Sequence, residues 1–222
     1  MFFTEAFEKM DAESKESLLK TLILQDDSPA SANTRQAYYK SILGHMGENV
    51  KIGRNVKIVN PQWVHLGDGV SIDDDATLIA RGEGGITIGD HVHINHRVYL
   101  DTERAATGYI TIGHHSYIGT GTTLFGHKGL EIGHHVLMAQ NITLTPYSHI
   151  FDDPSRCIIE QGGHCEKVVI GDDVYVGMRV AIMYSGNIGE GSVIGAGSVV
   201  VKPIPPYSVA VGCPAKVIKQ RG

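Results

Sequence analysis

An aliphatic residue returns at every sixth position along most of this chain, often followed by glycine. The sets are Ile52, Ile58; Leu66, Ile72, Leu78; Ile88, Ile94, Leu100; Ile112, Ile118, Leu124; Ile132, Met138, Leu144; Ile170, Val176, Ile182; and Ile188, Ile194, Val200. A short fixed period marks a solenoid, in which each unit buries its apolar face only by stacking on its neighbours. A period of six suits a β-helix. Three short strands make one triangular coil of about eighteen residues, and the periodic aliphatics fill the bore. Small or β-branched residues two positions before each aliphatic, as in Val56-Lys57-Ile58, favour strands. The glycine that follows, as in Ile88-Gly89-Asp90, is expected to serve a turn with unusual φ and ψ.

The spacing of the blocks locates the insertions. The starts Leu66, Ile88, Ile112, Ile132, Ile170 and Ile188 lie 22, 24, 20, 38 and 18 residues apart. Only one step exceeds a coil substantially, and the surplus segment contains Thr145-Pro146-Tyr147-Ser148-His149. Long segments inside compact folds are usually functional or disordered. The periodic part therefore reads as scaffold, and the interruption as chemistry.

The ends do not follow the period. Residues 4–24 are expected to form a helix, with Phe7, Met10, Leu18, Leu22 and Ile23 on one broad face. Asp26-Asp27-Ser28-Pro29 breaks it, and a second helix is expected over about 33–43. The division expected is a helical cap at 1–47, a β-helix at 48–202 with a long loop at 145–169, and a tail at 203–222. Lys202-Pro203-Ile204-Pro205-Pro206-Tyr207 is expected to end the stack, because proline cannot donate to a strand ladder.

Composition removes several classes. A formal charge of −5 without a Lys/Arg run argues against a general nucleic-acid binder. No run of apolar residues is long enough to span a membrane. The N-terminus lacks a basic stretch and an apolar signal core, and the three cysteines read as reduced thiols, so a cytoplasmic protein is expected.

Three stretches carry a resemblance. They are Val168-Val169-Ile170-Gly171-Asp172-Asp173-Val174-Tyr175-Val176-Gly177, Ile194-Gly195-Ala196-Gly197-Ser198-Val199-Val200-Val201-Lys202, and Ile204-Pro205-Pro206-Tyr207-Ser208 with Gly212-Cys213-Pro214-Ala215-Lys216-Val217-Ile218. Together they resemble the hexapeptide-repeat acyltransferases, in particular the sugar O-acetyltransferases of the maltose and galactoside type and their polysaccharide-modifying relatives. The resemblance implies an all-β solenoid, the left-handed parallel β-helix. It also implies a homotrimer, with acetyl-CoA as co-substrate in grooves between subunits and no metal requirement. Left-handedness comes from the resemblance alone, since parallel crossovers are normally right-handed.

By this resemblance His149 is the general base. An alcohol is a poor nucleophile at neutral pH, so acyl transfer from a thioester needs a group that takes the hydroxyl proton as the oxygen attacks. Histidine is suited to that task. Glu160 is the favoured group to orient it, with Asp152 and Asp153 nearer in sequence but also suited to the turn before Pro154. Gly177, Met178, Ala196, Gly197 and Val201 match positions along the pantetheine arm, and Lys202, Lys216 and Lys219, extended by Arg221, match or flank phosphate-binding ones. Relatives with a compact sugar site carry an Asn where this chain has Gly121, or Arg97 one coil earlier. Asn95 and Asp101 stand nearby as acceptor contacts, and the acceptor is expected to be a sugar or glycan precursor other than simple maltose or galactoside.

Other readings stay open. An amine acceptor would use the same apparatus, and Cys157 and Cys165 leave room for an acyl-cysteine route. His91, His115 and His135 occupy equivalent turn slots and are expected to form a surface ladder. His91 and His96 have an HxxxxH spacing similar to the γ-class carbonic anhydrases, which hold zinc through three imidazoles. A non-catalytic trimeric scaffold is the third class.

Overall fold

The computed structural model describes residues 10–26, 28–103 and 107–222. Three parallel sheets form the faces of a triangular prism. The first takes His45–Met46, Val64–Leu66, Ile86–Ile88, Ile110–Ile112, Leu130–Ile132 and Val168–Ile170. The second runs from Lys51–Ile52 through His93–Ile94, Tyr117–Ile118, Leu137–Met138 and Tyr175–Val176 to Ser208–Val211. The third runs from Lys57–Val59 through Tyr99–Asp101, Thr123–Phe125 and Thr143–Leu144 to Val199–Val200. Each coil visits the sheets in that order, so three corners follow, named here first (first sheet to second), second (second to third) and third (third back to first).

The register is the sequence period made physical. Ile112 pairs Ile132, which pairs Ile170; Leu124 pairs Leu144, which pairs Ile182. These residues are at most 3% exposed and share one core. Each such side chain contributes roughly 1.5–3 kcal/mol by leaving water. Ile58 alone among the periodic residues is half-buried, beside Leu24, Tyr38 and Ile42.

The turns differ from expectation in one respect. At the first and second corners the left-handed residue is the third after the aliphatic, such as His91, His115, His135 and Asn141, each with φ of 57°. The glycine directly after the aliphatic is needed for closeness instead. A Cβ on Gly113 would stand 2.6 Å from the backbone of Gly133 in the next coil, and one on Gly89 would stand 2.9 Å from the His114 nitrogen. Glycine there permits coil-to-coil contact.

Both ends are closed. Helix α1 (Ala12–Gln25) is capped by the Asp11 carboxylate, which accepts from Ser14 N at 2.8 Å, so the helix expected over 4–24 is broken at Met10 and Asp11. Residues 4–9, including Phe7, lie outside the described residues. Helix α2 (Pro29–Ile42) begins four residues before the expected start: Ser28 is its N-cap and Pro29 its first residue, so Ser28-Pro29 starts a helix as well as stopping one. α2 covers the first coil. Arg35 Nε and Gln36 Nε2 each donate to Ile52 O at 3.1 Å, and Tyr39 Oη donates to Val56 O at 2.6 Å. At the far end the stack does not stop at Lys202. Ile204 bridges Ile188, and Ser208–Val211 joins the second sheet in parallel, because Ile204 and Ala210 extend the core while the prolines occupy turns. Lys216–Gln220 then folds back antiparallel on Ser208–Val211.

Candidate active site

The long insertion leaves the third corner. Thr145 N still bonds Ile182 O at 3.0 Å, and the chain then forms a two-stranded antiparallel ribbon. Tyr147 pairs Cys165, Ser148 pairs His164 and His149 pairs Gly163. The Tyr147 ring lies across Gly163, where any Cβ would collide with it. The tip is self-contained. Gln161 Nε2 donates to the carbonyls of Asp153 (2.9 Å) and Arg156 (3.1 Å), and Arg156 donates to Glu160 O at 2.6 Å. The return leg is fastened by Ser185 Oγ to the Glu166 carboxylate at 2.8 Å and by Lys167 Nζ to Glu131 at 3.1 Å. Between these anchors His149 is exposed to solvent, with Phe151 and Ile159 exposed beyond it.

The expected orienting acid is not joined to His149. Among the described residues no carboxylate makes a hydrogen bond or ion pair with this ring. Glu160 sits in the short helix Ile158–Glu160, its side chain exposed, and only its backbone is bonded. Asp153 accepts from Ser155 N (2.9 Å) and Oγ (2.6 Å), which hold its carboxyl below the ordinary range; it is a turn residue. Asp152 is exposed. The ring that does touch His149 is Tyr147, at 4.9 Å between centroids and nearly perpendicular.

The two acceptor candidates fall at different corners. Asp101 ends a third-sheet strand and faces the third corner, but it is 1% exposed. Its oxygens take Arg81 at 2.8 and 2.9 Å, the Tyr99 hydroxyl at 2.9 Å and Glu103 N at 2.8 Å. Burial pushes its pKa up, and these donors together outweigh it and hold the carboxyl low. Asp101 therefore braces the corner from inside. Asn95 is at the second corner, accepting from Thr120 Oγ1 at 2.9 Å and bonded to the Tyr117 hydroxyl. Gly121 and Arg97 there are both left-handed turn residues, at φ of 71° and 55°.

The coenzyme candidates form one group and one outlying pair. Gly177 packs so closely on Ala196 that a Cβ would stand 2.6 Å from its nitrogen, and Met178 and Gly197 share that second corner, exposed. Lys216 pairs with Val211, whose side chain covers Gly195, so this lysine borders the same corner. Lys219 lies further along that strand, exposed, opposite Val209. Val201 and Lys202 are exposed one sheet away, at the third corner. Arg221 is spoken for: it meets the Asp173 carboxylate at 2.8 Å and Gly191 O at 2.9 Å.

The histidine ladder forms at the first corner. His91, His115 and His135 stack at 4.9 and 5.3 Å, and His114 on His134 at 3.8 Å. His96 is at the second corner, 3.6 Å from Asp73, so the HxxxxH pair is not brought together. Among the described residues no three His, Cys, Asp or Glu are placed to hold a metal ion.

The sequence reading passed over His127 and Tyr147, which stack at 5.2 Å and 17°. Each is the third residue after a periodic leucine, Leu124 and Leu144, and those leucines pair. The ladder logic that found His91, His115 and His135 would have found these.

Comparison with known proteins places this geometry. A family model described as the hexapeptide repeat of succinyl-transferase matches residues 167–202. The dTDP-4-amino-4,6-dideoxy-D-glucose acyltransferase of Escherichia coli is 30% identical over 176 residues, covering 79% of this chain and 81% of that one. The chain belongs to the hexapeptide-repeat acyltransferases. The galactoside O-acetyltransferase of Escherichia coli K12 is 34% identical over 60% of this chain. The chain spans 53% and 63% of the length of two of the curated relatives it matches. Among solved structures, the polySia specific acetyltransferase NeuO aligns at a TM-score of 0.63 and 28% identity, over 80% of each chain. As a hexapeptide-repeat acyltransferase, the chain is a left-handed parallel β-helix, as the resemblance implied.

Proposed function

We propose that this chain transfers an acetyl group from acetyl-CoA to a hydroxyl of a sugar or glycan precursor, with His149 as general base. His149 takes the hydroxyl proton as that oxygen attacks the thioester carbonyl. The C–S bond then breaks, coenzyme A leaves as the thiol after taking that proton back from His149, and the acetyl group stays on the sugar as an ester. The observation that carries this reading is the exposed His149 ring on the one long insertion of a hexapeptide-repeat acyltransferase, held out from the stack by a ribbon anchored at both ends. Gly177, Ala196 and Gly197 offer close backbone approach to a pantetheine arm, Met178 and Val201 offer apolar contact, and Lys202, Lys216 and Lys219 offer charge to phosphates. Asn95 stands as the acceptor contact, while Asp101, buried under its donors, only braces its corner. A homotrimer, with the coenzyme held between subunits, completes the reading.

The likeness to an amino-sugar acyltransferase over 79% of the chain favours an amine acceptor as the second reading. One assay addresses both: free coenzyme A released from acetyl-CoA over a panel of sugars and nucleotide-linked amino sugars, wild type beside His149→Ala. The base role predicts a loss of about a hundredfold or more in the variant, and turnover that survives would remove His149 from the mechanism. Hydroxylamine cleaves an ester product and spares an amide, which separates the two acceptors.

A further inference from the structure

A base must be held still to act, and His149 has no carboxylate to hold it among the described residues. It has a column of rings instead. The His149 ring stands on Tyr147, 4.9 Å away at 86°. Tyr147 stacks on His127 in the coil before it, at 5.2 Å and 17°. His127 in turn meets Phe125 at 5.9 Å, and Phe125 meets Tyr99 at 6.1 Å. Two features bear on the one face-to-face pair, Tyr147 and His127. His127 Nδ1 is closed off from solvent with no hydrogen-bond partner, so the ring is kept there without that nitrogen being satisfied. Gly163 on the opposite strand leaves the Tyr147 ring a space that no side chain could share. Burial also pushes the His127 pKa down, against the pull of Glu103 and Asp101, which favours the neutral ring that stacks without bringing a second charge beside the base.

We infer that His127 and Tyr147 are positioning residues for His149, and that the coil beneath the insertion fixes the base through contacting rings, edge-on at His149 and stacked between Tyr147 and His127, in place of a carboxylate. The inference rests on the assignment of His149 as base. Its two parts are separable, because His149→Ala tests the base without altering the ring column beneath it.

The experiment compares His127→Ala and Tyr147→Leu, which break the column, with His127→Phe and Tyr147→Phe, which keep aromatic faces. With the ring freed, kcat should fall about tenfold to a hundredfold, while KM for acetyl-CoA stays within about twofold and the melting temperature holds. Both Phe variants should recover most of the rate. Wild-type kcat in the Ala and Leu variants, or Phe variants as slow as these, would overturn the inference. His149→Ala in the same assay isolates the parent reading: if it too turns over normally, the base assignment has failed, and if it alone is dead, only the positioning has. A readout independent of activity is the carbon-13 NMR of the His149 ring. One ordered rotamer in wild type and two or more in His127→Ala support the column, and one ordered rotamer in both overturns it.

Discussion

Gly113 and Gly197 make opposite demands on the same residue type. At Gly113 a methyl group would strike the Gly133 backbone at 2.6 Å, whereas Gly197 has φ of 70° and open space around it. Gly113→Ala should therefore cost the larger amount, about 1–3 kcal/mol from overpacking against backbone that cannot move aside. Gly197→Ala should cost about 1 kcal/mol from left-handed strain. Urea midpoints of the two variants check the order, and equal losses would mean that the coils can part. Leu124→Ala removes a fully buried side chain from the bore and should cost about 2–5 kcal/mol by the same measurement. The glycine and leucine positions were both legible in the sequence. The reason for the glycine was not, because closeness to the next coil depends on residues twenty or more positions away.

The corner turns are the elements that repeat most faithfully, and one of them carries a titratable variation. Asp68, Asp90 and Asp172 each accept, through Oδ1, a backbone N–H of the coil before, at 2.7–2.8 Å. His134 does the same with an imidazole, accepting from His114 N through Nδ1 at 3.0 Å. His114 is held below its ordinary value of 6.5 by burial, and next by the His134, His135 and His115 rings, with Asp90 opposing. A histidine with a depressed folded pKa binds fewer protons folded than unfolded, so stability rises with pH. The contribution is whole above about pH 6.5 and is lost as the pH falls through that value towards the folded pKa. His127, depressed by burial, acts in the same direction. The melting temperature should therefore drop between pH 7.5 and 5.5, and more steeply in wild type than in His134→Asp, which restores the carboxylate acceptor. A slope left unchanged by His134→Asp would assign the effect elsewhere. That His91, His115 and His135 align was readable from their common slot. The acceptor role of His134 was not, since it needed the tautomer implied by its neighbour.

At the scale of the whole molecule, the period of six specified the prism, its bore and its one interruption, because every coil repeats one local rule. What it left open lay where that rule is suspended. The start of α2 at Ser28, the extra strand at Ser208–Val211 and the company kept by His149 all depend on contacts between distant parts. The cap can be weighed directly. Arg35 is buried with donors on Ile52 O and Asp26 O, so Arg35→Met should take one donor from each carbonyl, leaving Ile52 O to Gln36 alone, and lower stability by about 1–3 kcal/mol. Hydrogen exchange should speed first at Lys51–Ile52, and uniform exchange along the stack would argue that α2 is ornamental.

The reversal of direction at Lys216–Gln220 closes the stack of parallel coils. A column of parallel strands has two growing ends, and each exposed rung is a template for the next chain to arrive. Helix α2 blocks one end with side-chain donors. At the other, a strand laid antiparallel presents a spacing of donors and acceptors that another coil of the same kind does not match. Lys216 and Lys219 stand exposed along that last rung, and like charges discourage a second copy from approaching it. The molecule is a short length of what could otherwise be a filament, stopped once by a helix and once by a change of heading.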